Sequence, residues 1–230
     1  LTAIIPLFLE SLMGYTALQS GYAMIPRGLG ALVGMPLAGR LVSRVQGRYL
    51  VAGGFLSFGA AAYALAQLSL DLSPGLLFWP LFFSGAAIAF MFVPLNTLAL
   101  SALKPEQIGN GSGIFNLMRN VGGSVGISLV TTLIARRAQG HQTTLVGDLT
   151  PYAAPYQHAL RTLTAAFATY SGPVGARQQA LGSLYHTVLA QANLLAYLDN
   201  FRWFAVLCLA CIAGALLLKR AKIRGPIAVH

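Results

Sequence analysis

The chain has 230 residues, 56% of them hydrophobic and only 9% charged, with a mean hydropathy of +0.68. Soluble domains carry roughly 25% charged residues, so a water-soluble enzyme or binding module is excluded and an all-α integral membrane protein is expected. The net charge of +10 does not point to nucleic acid, because the basic residues lie between apolar runs instead of gathering on one exposed face.

Residues 1–13 read as the end of a membrane helix. The chain opens on Leu1 directly in an apolar run, with no basic region or cleavage site, so no signal peptide is expected and an upstream part is expected to be missing. Gly14 to Ser20 reads as a short loop. Further spans are expected over 21–39, with Arg27 inside it and Pro26 and Pro36 as kinks, over 50–70, and over 75–100, which contains Pro80 and Pro94. The span 109–135 combines a glycine-rich entrance (Gly109, Gly111, Gly113) with one internal arginine, Arg119. A buried unpaired guanidinium is costly and repeated glycine weakens a helix, but a membrane bundle uses both, since small residues let helices approach and an intramembrane charge pairs or functions. The segment 136–200 reads as a long outer connection with amphipathic helices over 156–170 and 176–198. A final span is expected over 201–218, followed by a tail over 219–230.

The fifteen Lys and Arg orient these spans. Arg40, Arg44 and Arg48 fall in the connection 40–49, Lys104 in 101–108, and Lys219, Arg220, Lys222 and Arg224 in the tail, whereas 14–20 and 71–74 carry none. The first set is expected to be cytoplasmic, and the C-terminus with it. Arg136, Arg137, Arg161, Arg177 and Arg202 lie on the other side in or beside the long connection, where the rule loses force.

Chemistry is sparse. Glu10 is the only carboxylate within the apolar spans, Asp71, Glu106, Asp148 and Asp199 being placed in loops or at ends. An antiparallel pairing of the first two spans about Thr16 would bring Glu10 and Arg27 to the same end. Two readings follow: a structural ion pair, or a Glu10 that takes and releases a proton. Arg119 is expected to brace neighbouring helices, and Gly122 with Gly126, and Gly30 with Gly34, to form small-residue packing faces. Cys208 and Cys211 stand one turn apart in an apolar span without a histidine or second cysteine pair, and read as small buried hydrophobes. His141, His158 and His186 are scattered. Neither a metal site, nor an ATP-binding loop, nor a catalytic set is expected, and no cofactor.

Four segments together carry a resemblance. I-P-L-F-L-E-S-L-M-G-Y-T-A-L-Q-S-G-Y-A-M-I-P-R-G-L-G at 5–30 resembles the paired helices that begin the C-terminal half of the fourteen-span drug:proton antiporters, the EmrB/QacA type of the major facilitator superfamily. G-R-L-V-S-R-V-Q-G-R at 39–48 is similar to the superfamily's second, degenerate loop motif. P-L-N-T-L-A-L-S-A-L-K-P-E-Q at 94–107, followed by S-G-I-F-N-L-M-R-N-V-G-G-S-V-G at 112–126, resembles the most recognisable part of that half. Ser43 replaces the motif's usual acid and Gln46 its glycine, which favours a plain basic anchor over a charge relay, and Glu10 stands where glutamine is common.

The resemblance implies a C-terminal six-helix half-bundle, its first helix truncated and its long outer loop placed before the last helix. It implies a secondary transporter of the bacterial inner membrane that exports hydrophobic or amphipathic drugs by proton antiport. A narrower organic-anion or metabolite cargo, motivated by Arg27, and a non-transporting scaffold are the alternatives. The implied partners are membrane lipid, the absent N-terminal half, small hydrophobic substrates and protons, with a periplasmic adaptor as a further candidate. The first, second, fourth and fifth spans would line the cavity, whose candidate residues are Tyr22, Met24, Arg27, Asn96, Thr97, Phe115, Asn116 and Met118. Gly109, Gly111 and Gly113 would form a helix tip that receives the other half's acidic loop.

Overall fold

A computed structural model describes residues 1–67, 74–101, 103–148, 152 and 154–217. The described chain is helical, with seven α-helices and one short 3-10 turn at Pro105–Gln107. The basic tail from Lys219 and residues 71–73 of the loop without Lys or Arg, among them the carboxylate Asp71, lie outside the described residues.

Helix α1, Ile4–Leu12, buries Ile4, Ile5, Phe8 and Leu9 along one stripe. It stops at Gly14, whose φ of 67° suits a residue without Cβ. Thr16 then starts α2, Ala17–Ala23, with a reciprocal cap. Its hydroxyl accepts from the Gln19 amide at 3.3 Å, and the Gln19 side chain accepts from the Thr16 amide at 2.9 Å. Met24 separates α2 from α3, Ile25–Val42, because Pro26 in the first turn of α3 has no N–H to continue a ladder from α2. The span expected over 21–39 is therefore two helices in sequence. Pro36 is accommodated inside α3.

Helix α4 is Gly47–Leu65 and α5 is Pro74–Ser101, the latter containing Pro80 and Pro94. Helix α5 is the centre of the packing, with α3 and α4 on either side of it. Glycines determine how close these helices come. A Cβ at Gly30 would strike the Phe82 carbonyl, one at Gly85 would strike the Arg27 carbonyl, and one at Gly34 would lie 3.0 Å from the Ala86 Cα. On the other side, a Cβ at Gly54 would lie 2.7 Å from Met91 Cγ. The pair Gly30 and Gly34 thus packs backbone to backbone. Gly85 and Gly54 do the same work without standing in any pattern read from the sequence.

Helix α6 runs unbroken from Ile108 to Asp148, 41 residues, and α7 covers Ala154–Leu216 with an interruption at Gly172 (φ 67°, ψ 170°). The segments read as 109–135, 136–200 and 201–218 are thus carried by α6 and by the two parts of α7 on either side of Gly172, with α6 and the second part of α7 continuing through the expected boundaries at 135 and 200. Nothing at Ala135 or Asn200 stops a helix, since the breakers in this region are Pro151, Pro155, Gly172 and Pro173. Asp199, read as the end of a loop, lies inside α7 and pairs with Arg202 one turn on, at 3.5 Å.

Among the described residues, three helical stretches are long and apolar enough to cross a membrane by length and composition: Gly75–Ser101, Ile108–Gly147 and Gly175–Leu216. The described chain falls into two compact units. One is Leu1–Leu129 with the chain from Leu198, and the other is Val130–Tyr197. In the first, α1 meets α7 where the Phe8 and Phe201 rings stack edge to face at 6.4 Å, and α4 meets it where Cys208 lies against Gly59. Both cysteines are free, Cys208 buried and Cys211 half-buried. In the second unit, Ile134, Ala176 and Ala180 are among the buried side chains, and a cleft of about 470 Å³ is flanked by Arg161 and Arg177.

Candidate functional site

The charged residues within the spans have separate environments. Arg27, in the first turn of α3, is 8% exposed. Its guanidinium donates to Ser84 Oγ at 3.2 Å and to Thr2 Oγ1 at 2.7 Å. Ser84 in turn donates to the Leu81 carbonyl at 2.7 Å. No ion pair joins Arg27 to Glu10, which is exposed on α1. The stripe Ile4, Ile5, Phe8 and Leu9 is the buried face of α1, and Glu10 lies off it, so burying α1 turns the carboxylate away. Arg27 is braced by hydroxyls, and Glu10 is left facing outward.

Arg119 lies on α6, exposed, with its guanidinium carbon 5.3 Å from the centre of the Phe92 ring of α5. That contact brings two groups of the cavity candidates to the same level. Asn96 and Thr97 follow Phe92 by about one turn, while Phe115, Asn116 and Met118 precede Arg119 by a turn or less. Asn96, Thr97 and Phe115 are half-buried, and Asn116 and Met118 are exposed. The Thr97 hydroxyl is occupied by the Val93 carbonyl at 2.9 Å. Tyr22 and Met24 belong elsewhere. They stand at the α2–α3 junction before Gly30, which meets α5 at Phe82, and Phe92 lies ten residues further along, about 15 Å.

The N-terminal half of α6 is bare. From Ile108 to Leu129 no side chain is buried, and Ile114, Leu117, Met118, Val121, Val125 and Leu129 are each about half exposed or more. A Cβ at Gly109, Gly113, Gly122 or Gly126 would meet nothing within 4 Å, and one at Gly111 would meet the Leu103 and Leu100 side chains. The small faces on α6 are therefore available rather than filled, unlike Gly30 and Gly34. An apolar, glycine-lined helix of this kind requires lipid, cargo or another protein surface to cover it.

Ser84, Thr2 and Phe92 were not singled out in the sequence. Ser84 opens a small-residue run, S-G-A-A at 84–87, inside an uncharged span, and that run marks a helix-crossing point where a hydroxyl can reach a neighbour. Phe92 is one of many phenylalanines and carries no such signal.

The comparisons with known proteins agree with the motifs. The sequence profile described as Major Facilitator Superfamily matches residues 1–127. The chain belongs to the Major Facilitator Superfamily. That superfamily consists of membrane transport proteins and not of enzymes. Its relatives include the Fatty acid resistance protein FarB of Neisseria gonorrhoeae, 32% identical over 209 residues, covering 91% of this chain and 40% of that protein. The Multidrug export protein EmrB of Escherichia coli (strain K12) is 33% identical over 153 residues, 65% of this chain and 29% of that protein. The Probable multidrug resistance protein EmrY of the same strain is 31% identical over 206 residues, 88% and 38%. The resemblance to the EmrB type of drug exporter holds over most of the sequence, and the chain spans at most 40% of the length of these three relatives.

Proposed function

We propose that this chain is the C-terminal half of a secondary transporter that exports hydrophobic or amphipathic compounds from a bacterial cytoplasm by proton antiport, alternating access coming from rocking against an N-terminal half. The observation that carries the reading is the bare face of α6. Ile108–Leu129 buries no side chain and presents Ile114, Leu117, Val121 and Val125 beside Gly109, Gly113, Gly122 and Gly126, whereas α5 is packed against α3 and α4. A second half would cover part of that face, and cargo the rest. Asn116, Met118 and Arg119, with Asn96, Thr97 and Phe115 at the same level, are its cargo-facing residues. Flexible methionine and flat aromatic groups suit varied hydrophobic compounds. Glu10, exposed on α1 and unpaired, is the group in this half for proton or cation coupling. The basic connection around Arg40, Arg44 and Arg48 sets the C-terminus in the cytoplasm, and a periplasmic adaptor would engage the outer side.

A second reading is favoured by one relative's name, Fatty acid resistance protein: an amphipathic organic anion as cargo. Arg27 no longer motivates it, because that guanidinium is buried on Ser84 and Thr2. Arg119, exposed beside Phe92, replaces it.

The experiment is efflux from everted vesicles containing the full-length transporter, energised by a proton gradient, with unrelated hydrophobic cations and long-chain fatty acids as competitors. Gradient-dependent export inhibited by the cations supports the drug reading. Competition by fatty acids alone supports the second, and export insensitive to collapse of the gradient overturns proton antiport.

A further inference from the structure

A groove between α3, α4 and α5 is lined by no residue of α6. It holds about 460 Å³, and its walls are apolar, with Val33, Leu37, Gly53, Phe83 and Phe90 among them and Tyr49 at one end. Along α4 it extends from Tyr49 to Ser57, eight residues or about 12 Å. A second cleft of about 360 Å³ shares Ser57 and Phe83 with it and continues to Ala64 and Trp79. Half of a bilayer's hydrocarbon core is roughly 15 Å deep, so the first cleft alone takes most of one acyl chain entering from one leaflet, and the second leaves room for its end.

The Tyr49 end is cationic. Arg48 Nη2 donates to the Tyr49 hydroxyl at 2.8 Å, and the guanidinium carbon stands 4.6 Å above the Tyr49 ring. The Arg48 Nε is buried and has no hydrogen-bond partner. Gln46, the N-cap residue of α4, gives that helix end no side-chain cap, so its first N–H groups also lack a side-chain acceptor. Arg40 and Arg44 are exposed on the same connection, and residues 40–49 contain no acid. A guanidinium that gives only Nη2 to the protein, through the Tyr49 hydroxyl at one end of an apolar channel, with Arg40 and Arg44 on the same connection, matches a phosphate joined to a hydrocarbon chain.

We propose that this groove is a specific site for an anionic glycerophospholipid. One acyl chain lies between Leu37, Gly53 and Phe83, and the phosphate accepts from Arg48 and the open N-terminus of α4. The lipid would hold the α3–α4 connection in place from outside the transport pathway.

The test uses the full-length transporter purified in detergent with equal amounts of phosphatidylglycerol and phosphatidylcholine, the retained lipid being counted by native mass spectrometry. Phosphatidylglycerol is expected to be retained several-fold over phosphatidylcholine. The preference should fall about tenfold in Arg48→Gln, which removes the fork, and in Gly53→Leu, which fills the groove at a position where a Cβ meets nothing within 4 Å. Equal retention of the two lipids by the wild-type protein, or unchanged preference in either variant, would overturn the proposal. A wild-type measurement covers variants that fail to fold. A phosphatidylglycerol carrying a photoreactive group in its acyl chain should crosslink to peptides within 33–57 or 79–90, and labelling confined to other segments would equally overturn it.

Discussion

Arg27 and Ser84, 57 positions apart, are joined by a 3.2 Å hydrogen bond at the crossing of α3 and α5. The bond is possible because Gly30 and Gly85 let the two backbones touch on either side of it. A guanidinium removed from water needs its donors satisfied, and Ser84 and Thr2 satisfy two of them. Ser84→Ala should therefore lower the thermal stability of the full-length protein by about 1–3 kcal/mol, leaving a buried donor unpaired. Its cargo profile should be unchanged. An altered profile at unaltered stability would show that Arg27 serves transport instead of bracing.

Glycine substitutions should divide into two groups. Gly30→Ala or Gly85→Ala places a Cβ against a backbone carbonyl that cannot move without opening the α3–α5 contact, so a loss of about 1–3 kcal/mol and poor accumulation in the membrane are expected. Gly122→Ala meets open space and removes a weak helix former, a gain of about 0.5–1 kcal/mol for α6 itself. If another half packs on α6, Gly122→Ala should still reduce efflux at normal expression. Normal efflux would argue that no closely packed partner covers that position.

The Arg119 guanidinium over the Phe92 ring ties α6 to α5. Phe92→Leu keeps the bulk but loses the ring's negative face, and should cost about 0.5–1 kcal/mol at this exposed site. A double-mutant cycle with Arg119→Met, read by thermal unfolding, measures the coupling. A coupling of zero would mean that the contact contributes nothing.

Glu10 carries the proton-coupling proposal in this half. Glu10→Gln keeps shape and polarity while removing the titratable group. Efflux driven by an imposed pH gradient should fall at least tenfold, with cargo binding to the purified protein retained. Full pH-driven efflux in this variant would remove Glu10 from the coupling mechanism.

Cysteines placed at Asn116 and Met118 should react with a membrane-permeable maleimide, and a tightly bound cargo should slow that labelling. Both side chains are exposed in the described chain. Protection of a cysteine at Tyr22, and of neither of these, would move the cargo pathway to the α2–α3 junction.

The charge and hydropathy of the chain, its proline and glycine breaks and its four motif segments were sufficient to determine an all-α membrane chain and its superfamily. These are local properties: crossing a bilayer requires about 20 apolar residues in succession, and each such run reports itself. The extents of the last two helices were less legible. Polar composition over 136–200 indicated a connection, but composition sets solvent preference and not where backbone hydrogen bonding stops. Of the breakers in that sequence, Gly172 interrupts α7, and Pro155 is accommodated in its first turn.

The tertiary structure alone decided the partners. Spacing about Thr16 made Glu10 a reasonable mate for Arg27, yet the buried stripe of α1 turns Glu10 outward and Ser84, from a distant helix, takes the guanidinium. Likewise Gly30 with Gly34, and Gly122 with Gly126, have the same spacing, but the first pair is pressed against α5 and the second faces open space. Which polar groups meet depends on where helices cross and how closely their backbones approach. That is a property of two surfaces together, and neither helix's sequence contains it.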